Sequence, residues 1–158
     1  MFAFASLVIA ALATLTIQTA SVAPSAEYAV SDSDILTWLA TTDAEVIHVG
    51  ADGESLQSPP PPPRADALAR RQGSVRVVWC DRRSGAVCGG TCRIYTGSAT
   101  CLNVRGQAAC LMASANVAFC DNTSCGGSCN TFARCGTKLD NNFCYTPGTD
   151  SINVPFVN

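Results

Sequence analysis

Residues 72–158 contain no histidine and no glutamate. Without an imidazole there is no Ser–His or Cys–His pair to activate a nucleophile. No Cys-x-x-Cys occurs anywhere, so a thiol-redox site of that type is also excluded. The single histidine of the chain, His48, lies outside the cysteine region. A zinc site built from C-x2-C pairs and histidine therefore has no ligand set. There is no basic run and no nucleic-acid-binding motif. Beyond the first residues, no apolar run reaches the roughly 20 residues that a membrane-spanning helix needs. Charged residues make up only 14% of the chain. These absences predict a non-enzymatic protein with no cofactor and no metal.

What the chain has instead is cysteine. All ten fall between residues 80 and 144, in one pattern that occurs twice. The first copy is Cys80, Cys88, Cys92, Cys101 and Cys110; the second is Cys120, Cys125, Cys129, Cys135 and Cys144. In each, an aromatic precedes the first cysteine (Trp79, Phe119) and an aspartate follows it (Asp81, Asp121). Each then has Cys-Gly-Gly-x-Cys, a later aromatic (Tyr95, Phe132), and a closing Cys-x8-Cys. This predicts an internal duplication, with units at about 79–111 and 119–145. Five is an odd number, so if every cysteine pairs, at least one bridge joins the two units. Ten cysteines allow about 945 connectivities, and spacing alone selects none of them.

Met1 to Ala26 carries no charged side chain, and a largely apolar run extends from Phe2 to Ile17. With small residues at Ala20, Ser21 and Ala23, residues 1–23 read as a signal peptide, although the first residues lack lysine and arginine. Secretion to the extracellular space explains the cysteines, because thiols oxidise outside the cytosol and small secreted domains use disulfides to supplement small cores. Residues 24–71 differ in composition. They hold no cysteine and have eight acidic against three basic residues, a net of −5. Within them, Ser31 or Ser33 caps a predicted helix in which Ile35, Trp38 and Leu39 share a face. Val46–Val49 is a candidate strand. Five prolines, Pro59–Pro63, make a stiff linker. Arg70-Arg71 follows the linker and matches a furin-like processing site, so 24–71 reads as an acidic pro-segment. It would assist folding, keep the module inactive in transit, or be lost.

Residues 72–158, the duplicated cysteine-rich domain, have seven basic and four acidic side chains, a net of +3. Strand candidates are Val75–Trp79, with Val75, Val77 and Trp79 on one face, Arg93–Thr96, Asn116–Cys120 and Ile152–Val157. Leu111–Ala115 reads as one turn of helix. The Gly-Gly pairs permit positive φ or close backbone approach, and Asn141-Asn142 and Pro147-Gly148 mark turns. The expected fold is small, disulfide-rich and mainly β with long loops, its two pseudo-repeats of five cysteines joined into one body. Trp79, Tyr95 and Tyr145 are the aromatics available to stack on a sugar ring, although an aromatic beside a cysteine ordinarily packs on the disulfide in the core. Asp81 and Asp121 are a pair of carboxylates with acid–base capacity, but an Asp after a Cys at a strand end ordinarily caps a turn. Asn122-Thr123-Ser124 is an N-glycosylation sequon.

The signal peptide, the acidic segment with Ile35-Leu36-Thr37-Trp38-Leu39-Ala40-Thr41-Thr42-Asp43-Ala44, the CGGxC pattern and Tyr145-Thr146-Pro147-Gly148-Thr149-Asp150-Ser151-Ile152 together resemble the small secreted cysteine-rich proteins of fungi, especially basidiomycetes. Hydrophobins and hevein-like chitin binders carry adjacent Cys-Cys, and CFEM haem-binding modules carry C-x-C; neither is present. The resemblance implies an effector-like interaction protein whose partner is an extracellular protein or glycan, with no nucleic acid and no stable membrane span in the mature form. Two other functions fit the residues: a cell-wall polysaccharide or glycan-binding module, and an antimicrobial or toxin-like protein suggested by the change of charge sign. The intact mass of the secreted product should lie ten hydrogens below its fully reduced mass. A smaller deficit would mean free thiols.

Overall fold

The computed structural model describes residues 29–57 and 74–155. The signal peptide, Pro59–Pro63, Arg70-Arg71 and the end of the last predicted strand lie outside the described residues. One helix, α1 (Asp32–Thr41), precedes seven strands: β1 (Glu45–Val49), β2 (Val75–Ser84), β3 (Val87–Gly97), β4 (Thr100–Ala113), β5 (Ala118–Cys120), β6 (Cys129–Thr131) and β7 (Cys144–Val154). They form a single sheet in the order β1-β3-β2-β4-β7-β5-β6. All neighbours are antiparallel except β1, which runs parallel to β3 at the edge.

The helix forms for the reasons its sequence contains. Ser31 is the N-cap, its hydroxyl accepting from the Asp34 backbone N–H at 3.1 Å. Asp32 and Asp34 lie in the first turn, where the helix dipole favours negative charge. Ile35 and Trp38 are buried and Leu39 packs against the same core. Burial of Ile35 and Trp38 stabilises the docked helix by about 1.5–3 kcal/mol each.

Strand β2 departs from the alternation its valines suggested. Val75 to Cys80 are buried without interruption, so the strand is covered on both faces. Arg76 lies on the face opposite Val75 and Val77 and pairs with Asp32 of α1, which puts the helix on that face. The other face is dry as well, and the sheet is irregular where β4 meets β7. Between Asn103 and Ala108, β4 carries surplus residues opposite Ser151–Thr149. Arg105 (φ 49°) and Gly106 (φ 72°) there take left-handed conformations, as in a β-bulge. Two rungs further the surplus lies on β7, at residues 146–148, where Pro147 costs no ladder bond and Gly148 has φ 72°. Pro147-Gly148 is thus a bulge inside a strand rather than a turn between elements. Leu111–Ala113 is also strand, fully buried in β4, and not a helical turn. Its Leu, Met and Ala are helix formers locally, but pairing with Trp79, Val78 and Val77 decides the conformation.

Five disulfides take up all ten cysteines: Cys80–Cys92, Cys88–Cys110, Cys101–Cys125, Cys120–Cys129 and Cys135–Cys144. Cys101–Cys125 is the bridge between the two cysteine groups that the odd count requires. Each bridge stabilises the fold by roughly 2–4 kcal/mol, not strictly additively. The long-loop expectation fails between residues 75 and 113, where three long strands run with short connections.

Cys80–Cys92 and Cys120–Cys129 each close an antiparallel pair at directly opposed positions, with Cα–Cα distances of 4.0 and 4.1 Å. In the first, the Asp81 carboxylate accepts from the Thr91 N–H at 2.9 Å; in the second, Asp121 accepts from the Ser128 N–H at 2.8 Å. The second glycine of each pair, Gly90 (φ +87°) or Gly127 (φ +76°), is left-handed, and a Cβ there would collide with the same aspartate. Around Gly89, by contrast, the space is open. Gly90→Ala is therefore expected to lower stability by about 1–3 kcal/mol or more. Gly89→Ala should change it by no more than about 1 kcal/mol. Guanidinium unfolding of the oxidised variants distinguishes the two, and equal losses would contradict the geometry.

Candidate functional site

The three aromatics singled out for ligand contact do not form one surface. Trp79 sits in the doubly covered part of β2 and is 2% exposed. Its side chain belongs to the core, beside Cys80 and opposite Leu111 and Arg93 on the flanking strands. Tyr95 is 4% exposed. Its hydroxyl donates to the Ser98 carbonyl at 2.7 Å, and its ring occupies the space that a side chain at position 97 would need, which is why Gly97 follows it. Burial raises the Tyr95 phenol above its ordinary pKa of 10.0. Both aromatics thus pack in the interior.

Tyr145 differs. It is half-buried, and the Arg83 guanidinium lies over its ring, 4.2 Å from the centroid. Arg83 is also held by its Nε, which donates to the Gly85 carbonyl at 2.6 Å. Arg82 beside it is 77% exposed at the side chain, in loose contact with Asp81 at 3.6 Å. Val87, where β3 begins, is 54% exposed. The end of the β2–β3 hairpin therefore presents two guanidinium groups and an apolar side chain. Arg83 was not evident from sequence, since nothing local to it announces a partner 62 residues later in the chain.

Asp81 and Asp121 each accept a backbone N–H, as described, and so act as turn caps. Asn122 is exposed at the start of the turn Thr123–Cys125. Its side chain makes no capping bond, and its carbonyl accepts from Ser151 Oγ. The turn is anchored through Cys125 and by Asn103 Oδ1, which accepts from the Ser124 N–H at 2.7 Å. The sequon amide is thus presented to solvent by an anchored loop.

Two clefts, of about 250 and 400 Å³, run along one seam, between residues 29–57 and the cysteine-rich domain. The first is lined by Val30, Asp34, Phe132, Lys138, Phe143 and Cys144 among others; the second by Trp38, Asp43, Val87, Cys88 and Asn141 among others. The first cleft also has Ser31, whose hydroxyl is engaged as the helix N-cap. Among the described residues no three His, Cys, Asp or Glu side chains cluster as metal ligands, and no helix is long and apolar enough to cross a membrane. Compared with protein-family models, with curated proteins and with solved structures, the chain matches none.

The Tyr95 burial has a measurable consequence. With its pKa raised in the folded protein, the neutral phenol is the form that folding favours. That contribution is intact below pH 10.0, the ordinary value, and is lost as pH rises through the folded pKa, because the unfolded chain ionises first. Unfolding midpoints followed from pH 8 to 11 should fall for the wild type more steeply than for Tyr95→Phe. Parallel curves would show that Tyr95 ionises freely in the folded state.

Proposed function

We propose that this is a secreted, proteolytically matured, disulfide-stabilised interaction protein, effector-like and non-enzymatic, of the kind found among small fungal secreted proteins. The observation that carries the reading is that the side chains offering chemistry are spent on the frame. Every cysteine is in a bridge, Asp81 and Asp121 each cap a backbone N–H, and Trp79 and Tyr95 are interior. What remains outward at the β2–β3 hairpin is Arg82, Arg83 and Val87, a combination of guanidinium and apolar surface suited to protein contact. Five disulfides accord with an oxidising, extracellular setting. The reading includes an internal duplication. The matched Asp–disulfide–Gly hairpins at Cys80–Cys92 and Cys120–Cys129 support it, while the remaining bridges have diverged.

Glycan binding is the second reading, and Tyr145 is the residue that keeps it open, being the one candidate aromatic that is not interior. The test is retention of the secreted protein on insoluble chitin, β-glucan and cellulose, with Tyr145→Ala and Trp79→Ala beside it. The interaction-protein reading expects no retention on any polymer, and binding of labelled protein to cells that is abolished when their surface proteins are removed. Retention by one polymer, lost in a folded Tyr145→Ala variant, would replace it with the glycan-binding reading.

A further inference from the structure

Residues 29–57 belong to the segment that processing at Arg70-Arg71 would separate from the cysteine-rich domain. Their place in the fold is not that of a detachable cover. Ile35 is fully buried, and Val30, Trp38 and Val49 are each less than a tenth exposed. The Trp38 ring meets Phe143 edge-on, with centroids 5.1 Å apart. Asp32 pairs at 2.6 Å with Arg76, whose side chain is only 11% exposed. The Val30 N–H donates to the Ala113 carbonyl at 2.9 Å. Strand β1 pairs along its whole length with β3, from Glu45 opposite Thr91 to Val49 opposite Tyr95, and so closes an edge of the sheet.

Removing this segment would uncover Phe143, leave the Arg76 guanidinium without its carboxylate, and open the β3 edge. Each change is unfavourable: an apolar core face meets water, a largely buried charge loses its partner, and an unpaired strand edge invites association. No cysteine lies in residues 24–71, so no disulfide holds the segment to the domain.

We propose that residues 29–57 are a resident subunit. When the chain is cut at Arg70-Arg71, this segment stays seated on the sheet, and the mature protein is a two-chain body joined without any covalent bond. This inference rests on the maturation reading above for the cut itself and on the described interface for retention. The subunit also contributes outer surface. Leu36 (52% exposed) and Leu56 (44%) lie on it, and the third large exposed apolar side chain among the described residues, Val87, lines a cleft of the seam. The surface a partner meets is then composite, with side chains from both chains.

The test begins with the secreted, oxidised full-length chain, cut after folding with a dibasic-specific protease. In parallel, a second form carries an unrelated site-specific protease sequence inserted between Arg64 and Arg71 and is cut there. A denaturing, non-reducing gel should separate two fragments in each case. Size exclusion and native mass spectrometry should find them together in equal amounts, including after dilution. Trp38→Ala, cut in the same way, should weaken retention by about a hundredfold or more, and the milder Asp32→Asn by about tenfold. Separation of the wild-type fragments in native buffer, with the larger one keeping its near-ultraviolet spectrum and five disulfides, would overturn the proposal. If the cut is absent from the naturally secreted protein but the fragments of the engineered form stay together, the maturation reading fails and the seating of the segment stands.

Discussion

Burial of β2 on both faces is the condition that the rest of the architecture meets. Six consecutive residues, Val75 to Cys80, are shut away from water, and a strand with two dry faces needs two covers. One is the helix of residues 32–41, brought in by Ile35 and Trp38 and oriented by Asp32 on Arg76. The other face is dry too, in a sheet whose β4–β7 ladder is bulged at Arg105-Gly106 and Pro147-Gly148. Disulfides then fix what burial has assembled: one bridge staples β2 to β3, another ties β3 to β4, and Cys101–Cys125 ties the two cysteine groups together.

The same condition decides which aromatics can act. An aromatic next to a cysteine in a doubly covered strand has nowhere to go but inward, and Trp79 follows that rule. Its Nε1, like Arg93 Nη1 on the neighbouring strand, is buried without a hydrogen-bond partner, which is uncommon. Tyr145 lies just before the bulge of β7 and is only partly enclosed. The Arg83 guanidinium lies over its ring, so a ligand stacking on that face would meet the guanidinium first. The outward chemistry at the end of the β2–β3 hairpin is therefore basic and apolar rather than a row of open aromatic platforms.

Much of this was legible beforehand because it is local. The helix was marked by Ser31, Ile35 and Trp38, and strand cores by valine at 75–78 and 46–49. Left-handed glycines were marked by Gly-Gly, and the joining bridge by an odd count of cysteines. What escaped is long-range. Leu111–Ala113 carries helix-forming residues, and only Val77–Trp79 across the ladder makes it strand. The shared face of Val75, Val77 and Trp79 was legible, but burial of the opposite face was not, because nothing near them in sequence announces the helix more than thirty residues earlier. The distribution of roles between Trp79, Tyr95 and Tyr145 depends on which strands flank them, and spacing carries no record of that.

The bridges have a property that bears on how the molecule is made. The partners of every disulfide are between 9 and 24 residues apart. By contrast, Asp32 meets Arg76 across 44 positions and Glu45 meets Thr91 across 46. Every disulfide thus closes a shorter loop than these contacts do, at a somewhat smaller entropic cost, although Cys88–Cys110 and Cys101–Cys125 pass over cysteines nearer in sequence. What holds the helix and first strand to the sheet across these longer separations is noncovalent. The acidic segment is synthesised before the surface it occupies, which is completed by Phe143 near the end of the chain.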